Sequence, residues 1–179
     1  LHVYDGDRVD ASNLNRQIVA AASTLGKAKA SAMRERLLQI LPDAHVVAHD
    51  CFVNQENINC VMDEAFDYII DAIDSMRDKV ALINAAHDMQ TRIISATGAG
   101  NRLRADMLAV ADVYATRQDP VCRILRKELR ELGIAKHTVV FSEEIPITKQ
   151  VPPASMVFVP NAMGILLANK VCMDLLEEI

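Results

Sequence analysis

The stretch Phe66-Asp67-Tyr68-Ile69-Ile70-Asp71-Ala72-Ile73-Asp74-Ser75 sets the reading of the whole chain. Its apolar run is short and does not alternate with polar residues, as expected for a strand buried on both faces. It ends on carboxylates and leads directly into a predicted helix over Met76–Met89. A buried strand followed at once by a helix is the repeating unit of a parallel sheet.

The same rhythm extends to both sides. Toward the amino end, Leu1–Asp5 reads as a short strand ending on a carboxylate, and Ser12–Ala22 and Thr24–Leu41 read as helices. In the second helix Leu25, Ala28, Ala32, Leu37 and Ile40 fall at helical spacing, and Pro42-Asp43 ends it. His45–His49 is the next predicted strand, with a helix over Gln55–Glu64. Toward the carboxyl end come a strand at Thr91–Ala96, a turn at Gly98-Ala99-Gly100, a strand at Asp106–Asp112, a helix at Asp119–Leu132 and a strand at His137–Ser142. A loop over Glu143–Pro153, a short strand at Met156–Pro160 and a helix over Asn161–Glu178 complete the reading. Ile165, Leu166, Met173 and Leu176 are the core candidates of that last helix. The expected fold class is α/β, a doubly wound and mainly parallel sheet.

Composition agrees with it. The 179 residues are 51% hydrophobic but only 4% aromatic, without Trp, so Ala, Val, Ile, Leu and Met must fill the core. That suits buried parallel strands better than a β-sandwich. No apolar run reads as a membrane span. The four cysteines, Cys51, Cys60, Cys122 and Cys172, form no C-x-x-C pair, which argues against a zinc clip and a disulfide framework and for reduced thiols in the cytoplasm. Cys122 shares an amphipathic stretch with Val121, Leu125 and Leu129 and reads as packing.

The residues suited to chemistry gather at strand ends and helix starts. Asp5-Gly6-Asp7 follows the first strand. A carboxylate there suits a nucleotide ribose, although the triplet is also an ordinary turn. In Ser12-Asn13-Leu14-Asn15-Arg16-Gln17, Ser12 is a candidate helix cap and Arg16 offers a fork of donors matched to phosphate. Lys29 lies between Ala28 and Ala30, which would let a phosphate approach closely. Taken singly, Arg16, Lys27 and Lys29 read equally as a solvated helix face. Asp74 is placed to hold a hard cation such as Mg²⁺ against a triphosphate, or to serve as a turn residue, while Asp71 reads as a cap. Taken together, these residues are expected at one edge of a parallel sheet, as a nucleotide triphosphate site.

This order of motifs resembles the adenylation domain shared by ubiquitin-activating enzymes and the molybdopterin and thiamine sulphur-transfer activators. The resemblance implies a Rossmann-like fold, Asp5 on the ATP ribose, Asn13, Arg16 and Lys29 on the phosphates, and Asp74 on the metal. Arg16 and Lys29 are then the catalytic candidates. Thr97-Gly98-Ala99-Gly100, Val110–Tyr114, Asp119-Pro120, Arg126–Arg130, Val140–Glu144 and Ala154–Pro160 narrow the likeness to the tRNA threonylcarbamoyladenosine dehydratases. That family implies ATP and Mg²⁺, a tRNA substrate and a homodimer. It also implies one adenylation domain over 1–179, with 1–100 for nucleotide and 101–179 for substrate and dimer contacts. The family's first βα unit, with its Gly-rich turn, would precede Leu1; without it the 179 residues are expected to be inactive alone. The same ATP residues would serve an enzyme adenylating the C-terminal glycine of a ubiquitin-like or sulphur-carrier protein. A non-catalytic scaffold shares the motifs as well, and a dinucleotide oxidoreductase would leave Arg16, Lys29 and Asp74 idle. Arg117–Lys136 holds six cations against three carboxylates and, with Arg102 and Arg104, is either a tRNA-contacting surface or a solvated amphipathic helix.

Overall fold

The structure is a computed structural model that describes residues 1–148 and 153–177. Part of the predicted Glu143–Pro153 loop and the end of the last predicted helix lie outside them. By its contacts the chain forms two units, Leu1–Val53 and Asn54–Ile179.

The first unit is built on a two-stranded parallel sheet. Strand β1 (His2–Tyr4) pairs with β2 (Val47–His49), His2 facing Val47 and Tyr4 facing His49. Helix α1 (Lys29–Ile40) joins them and buries Ala30 and Ala32. Gly26 sits at φ +79, the left-handed conformation that suits glycine, so the helix starts later than the expected Thr24. Leu25 and Ile40, expected in the core, are exposed.

Ser12–Ala22 is not a helix. A single 3-10 turn spans Ala11–Asn13, and a second spans Ala22–Thr24. The Arg16 guanidinium donates to the Ser12 carbonyl at 2.7 Å, the oxygen an α-helix would offer to the Arg16 N–H. Leu14 and Ile18 stay exposed, so no apolar face rewards a longer helix.

The second unit carries a four-stranded sheet in the order β3-β4-β6-β5. Strands β3 (Ile69–Asp71), β4 (Ile93–Ala96) and β6 (Thr138–Ser142) run parallel, and β5 (Leu108–Asp112) runs antiparallel at one edge. Helices α2 (Ile58–Met62), α3 (Met76–Asp88), α4 (Pro120–Glu131) and α5 (Phe158–Leu176) complete it. Asp119 caps α4 by accepting the Cys122 N–H at 2.9 Å, with Pro120 at the first helical position, where its missing N–H costs nothing.

Two expectations at the carboxyl end fail. Met156–Pro160 is not a strand, because α5 already begins at Phe158 and takes Pro160 into its first turn. The face of α5 that packs is Val159, Met163 and Leu167, the last two forming an apolar cluster with Ile94 and Val140. Ile165, Met173 and Leu176 are exposed, and Leu166 only packs beside that cluster. α5 is apolar nearly all round, so spacing could not choose among its faces. At 19 residues it is also long and apolar enough, by length and composition alone, to cross a membrane, which the sequence reading missed.

Candidate functional site: carboxylates and cations at strand ends

The first unit gathers four of the five candidates around the chain leaving β1. Asp5 Oδ1 accepts the Asp7 N–H at 2.8 Å, closing a tight turn after the strand. Lys29 is pinned to that turn twice. Its N–H donates to the Asp7 carbonyl at 2.9 Å, and its Nζ pairs with Asp7 Oδ2 at 2.7 Å. The ammonium is therefore held beside the Asp5 turn, at the first residue of α1. Its side chain is 12% exposed against 56% for Asp7, so the pair is open to solvent from the carboxylate side.

Ser12 is not the cap. Asp10 is, accepting the Ser12 N–H at 2.8 Å, while Asn13 Oδ1 accepts the Asp10 N–H at 3.1 Å. Asn13 is buried, so its amide shapes this turn from within. The Ser12 N–H first, with Lys29 as a smaller contributor, holds the Asp10 carboxyl below the ordinary carboxylate range. Arg16 is half-buried, with Nη1 donating to Asn15 Oδ1 at 2.9 Å. Next to it, Gln17 Oε1 is buried and has no hydrogen-bond partner among the described residues. Phe52, 59% exposed, lays its ring against Gly6, where an added Cβ would meet it at 2.5 Å. The sequence reading did not single out this aromatic surface beside Asp5, because it comes from after β2.

In the second unit the turn after β3 is fixed from inside. Asp71 is not a helix cap. It is 1% exposed, pairs with the 3% exposed Lys79 at 2.7 Å, and accepts the Ile73 N–H at 2.9 Å. Ser75 caps α3 instead. Between them Asp74 is exposed and makes no hydrogen bond or ion pair among the described residues. Its carboxylate is an oxygen donor of the kind Mg²⁺ takes, but among the described residues no group of three or more His, Cys, Asp or Glu is placed to hold a metal, so the chain offers that ion one ligand here.

The strand beside β3 ends in a clamped loop. Arg102, placed by sequence on an outer surface, is 3% exposed and pairs with buried Asp119 at 2.7 Å, while its Nη1 donates to the Gly98 carbonyl. Thr97 Oγ1 donates to the same carboxylate at 3.2 Å. Glu144 accepts the Leu103 and Arg104 N–H groups, and a Cβ on Gly100 would meet Pro153 at 2.6 Å. Six residues between Thr97 and Arg104 are thus held at the carboxyl end of a parallel strand, where open α/β sheets bind ligands. Single motifs in the sequence gave no sign of this, because the partners lie tens of residues away.

Cys122 is fully buried, and burial first, then the Asp119 charge, pushes its thiol up to about 12. It is packing and not a nucleophile. Cys51, Cys60 and Cys172 are exposed free thiols.

Known proteins fit this geometry. The model of the ThiF family matches residues 1–144. The tRNA threonylcarbamoyladenosine dehydratase of Bacillus subtilis (strain 168) is 34% identical over an alignment covering 99% of this chain and 77% of that protein. Its namesake from Escherichia coli (strain K12) is 38% identical over 76% of this chain and 51% of that protein. The chain thus spans about three quarters of the first relative and half of the second. The crystal structure of the E. coli tRNA N6-threonylcarbamoyladenosine dehydratase in complex with AMP superposes with a TM-score of 0.91 at 30% identity, over 99% of this chain and 76% of that one. With parallel strands joined by helices, carboxylates at strand ends and a family match over most of its length, this chain belongs to the ThiF family.

Proposed function

We propose that the protein uses ATP to adenylate the threonylcarbamoyl carboxylate on a tRNA adenosine and then closes that group into a ring with loss of water. The observation that supports this most is the likeness to the dehydratases over 99% of the chain. The ATP site we assign is Asp5 at the ribose, Asn13, Arg16 and Lys29 toward the phosphates, and Asp74 toward the metal. Residues 1–100 serve the nucleotide, and 101–179 the substrate and the contact between two copies. Exposed Phe158, Ile165, Met173 and Leu176 on α5 are apolar surface suited to a homodimer. The reading places it in the cytoplasm, in keeping with four unpaired thiols.

A carboxylate oxygen attacks the α-phosphorus of ATP, the bond to the β-phosphate breaks, and pyrophosphate leaves with its electron pair. Arg16 and Lys29 stabilise the charge that grows on the phosphate oxygens, Lys29 exchanging its Asp7 partner for phosphate. Magnesium held by Asp74 supplies further neutralisation there when bound. In the second step the substrate's own carbamoyl group attacks the acyl carbon, AMP leaves, and a proton is lost. Attack within one molecule has a high effective molarity, so no enzyme nucleophile is required. Buried Cys122 fits that chemistry.

ATP–pyrophosphate exchange with threonylcarbamoylated tRNA tests this reading. Exchange that needs the modified tRNA and falls roughly 100-fold or more in Arg16→Ala and Asp74→Ala is expected. Exchange driven by a carrier protein's C-terminal glycine and indifferent to tRNA would replace the proposal.

A further inference from the structure

The cations of Arg117–Lys136 are not spread over the helix and its flanks at random. Arg126 turns inward, donating to the Thr116 carbonyl at 3.1 Å and to Val113. Asp119 is neutralised internally by Arg102. What reaches solvent is Arg117, Arg123, Lys127, Arg130 and Lys136. Lys127 lies 3.7 Å from both the Glu128 and the Glu131 carboxylates, so Arg123 and Arg130 are the cations of that face with no carboxylate paired to them among the described residues. Arg123, Lys127 and Arg130 are four and three residues apart, which aligns them along one face of α4. The segment carries an excess of three positive charges, in a chain whose net charge is −5. A solvated helix needs no such concentration of one sign in an otherwise acidic protein.

Two further features point to a nucleic acid. The α4 amino end is tied through Asp119 to Thr97 and Arg102 in the loop after β4, at the ligand-binding end of the sheet. At the other end, the Arg130 guanidinium lies 5.2 Å over the Tyr114 ring. The two border a shallow concavity of about 490 Å³ that also meets Gly133 and Ile134. Guanidinium and aromatic planes are surfaces on which unstacked RNA bases rest. The 12 residues of α4 extend roughly 18 Å, enough to lie along several backbone phosphates.

Building on the proposed activity, we infer that the outer face of α4, through Arg123, Lys127 and Arg130 and flanked by Arg117 and Lys136, holds the phosphate backbone of the tRNA substrate. Arg102 takes no part, being buried. Arg123→Gln/Arg130→Gln in the intact protein is the test, with Arg34→Gln/Arg36→Gln, two exposed cations of the first unit, as the charge-matched control. Binding of an unmodified tRNA transcript is followed by fluorescence anisotropy without ATP, across a salt series. The double variant is expected to bind at least tenfold more weakly, with a salt slope smaller by roughly 1.5 to 2, while the control and the affinity for ATP stay as in the parent. Equal affinity and slope in parent and double variant would overturn the inference, as would loss confined to an acidic carrier protein. Because this assay needs no chemistry, a parent that binds tRNA through α4 but forms no cyclised nucleoside would refute the activity and leave the surface standing.

Discussion

Breaking the Asp71–Lys79 pair is expected to destabilise the protein out of proportion to a single hydrogen bond. Both groups are at most 3% exposed and stand 2.7 Å apart, so neither charge has water to fall back on. Asp71→Asn keeps an acceptor for the Ile73 N–H but removes the charge facing Lys79. The stranded ammonium sets a cost of about 3–5 kcal/mol. Replacing both partners, Asp71→Leu with Lys79→Met, leaves no buried charge and only the orphaned Ile73 N–H, at about 1–3 kcal/mol. The double variant should therefore be more stable than Asp71→Asn alone, a coupling measurable as a double-mutant cycle in urea unfolding followed by circular dichroism. If Asp71→Asn costs less than about 1 kcal/mol, the pair is not desolvated as described and the reasoning is wrong.

Three other outcomes follow from the same structure. Burial first, with the charges of His87 and Lys79 adding to it, lowers His137 to about 4 from an ordinary 6.5. The unfolded chain then binds more protons between those values, so stability is full above about pH 6.5 and falls as pH drops toward 4, by roughly 3 kcal/mol in all. In His137→Asn that part of the pH dependence should vanish in unfolding curves; an unchanged profile would refute it. A thiol reagent at neutral pH should label Cys51 and Cys60 readily and Cys122 only on unfolding, and native labelling of Cys122 would contradict its burial. Lys29→Ala, which releases Asp7 as well as removing a phosphate partner, should lower the rate of pyrophosphate exchange by roughly 100-fold while leaving the affinity for tRNA unchanged.

The sequence was most readable where one physical effect dominates. The runs behind β4 and β6 are buried and unambiguous, and Asp119-Pro120 marks the start of α4 by a cap and a ring that need nothing distant. β3 is a strand as read, but it lies at the sheet edge and leaves Ile70 47% exposed, so it is not buried on both faces. Reading failed where side chains compete with the backbone, as at Arg16 and Ser12, or where apolar residues surround a helix, as in α5. Charged residues were the hardest. Asp71 and Arg102 look like ordinary polar positions until Lys79 and Asp119, 8 and 17 residues away, turn them into buried pairs. The identities of Asp5, Asn13, Arg16, Lys29 and Asp74 came from the order of motifs, whereas the Asp7–Lys29 pair and the Phe52 surface became visible only in space.

The central claim is a reaction, and the nucleosides themselves report it most directly. Threonylcarbamoylated tRNA is incubated with ATP, magnesium and the intact protein, then digested and analysed by mass spectrometry. A modified adenosine lighter by one water, formed only with ATP and absent in Arg16→Ala, is the predicted result. Unchanged threonylcarbamoyladenosine, from a protein shown to bind ATP and tRNA, would contradict the claim.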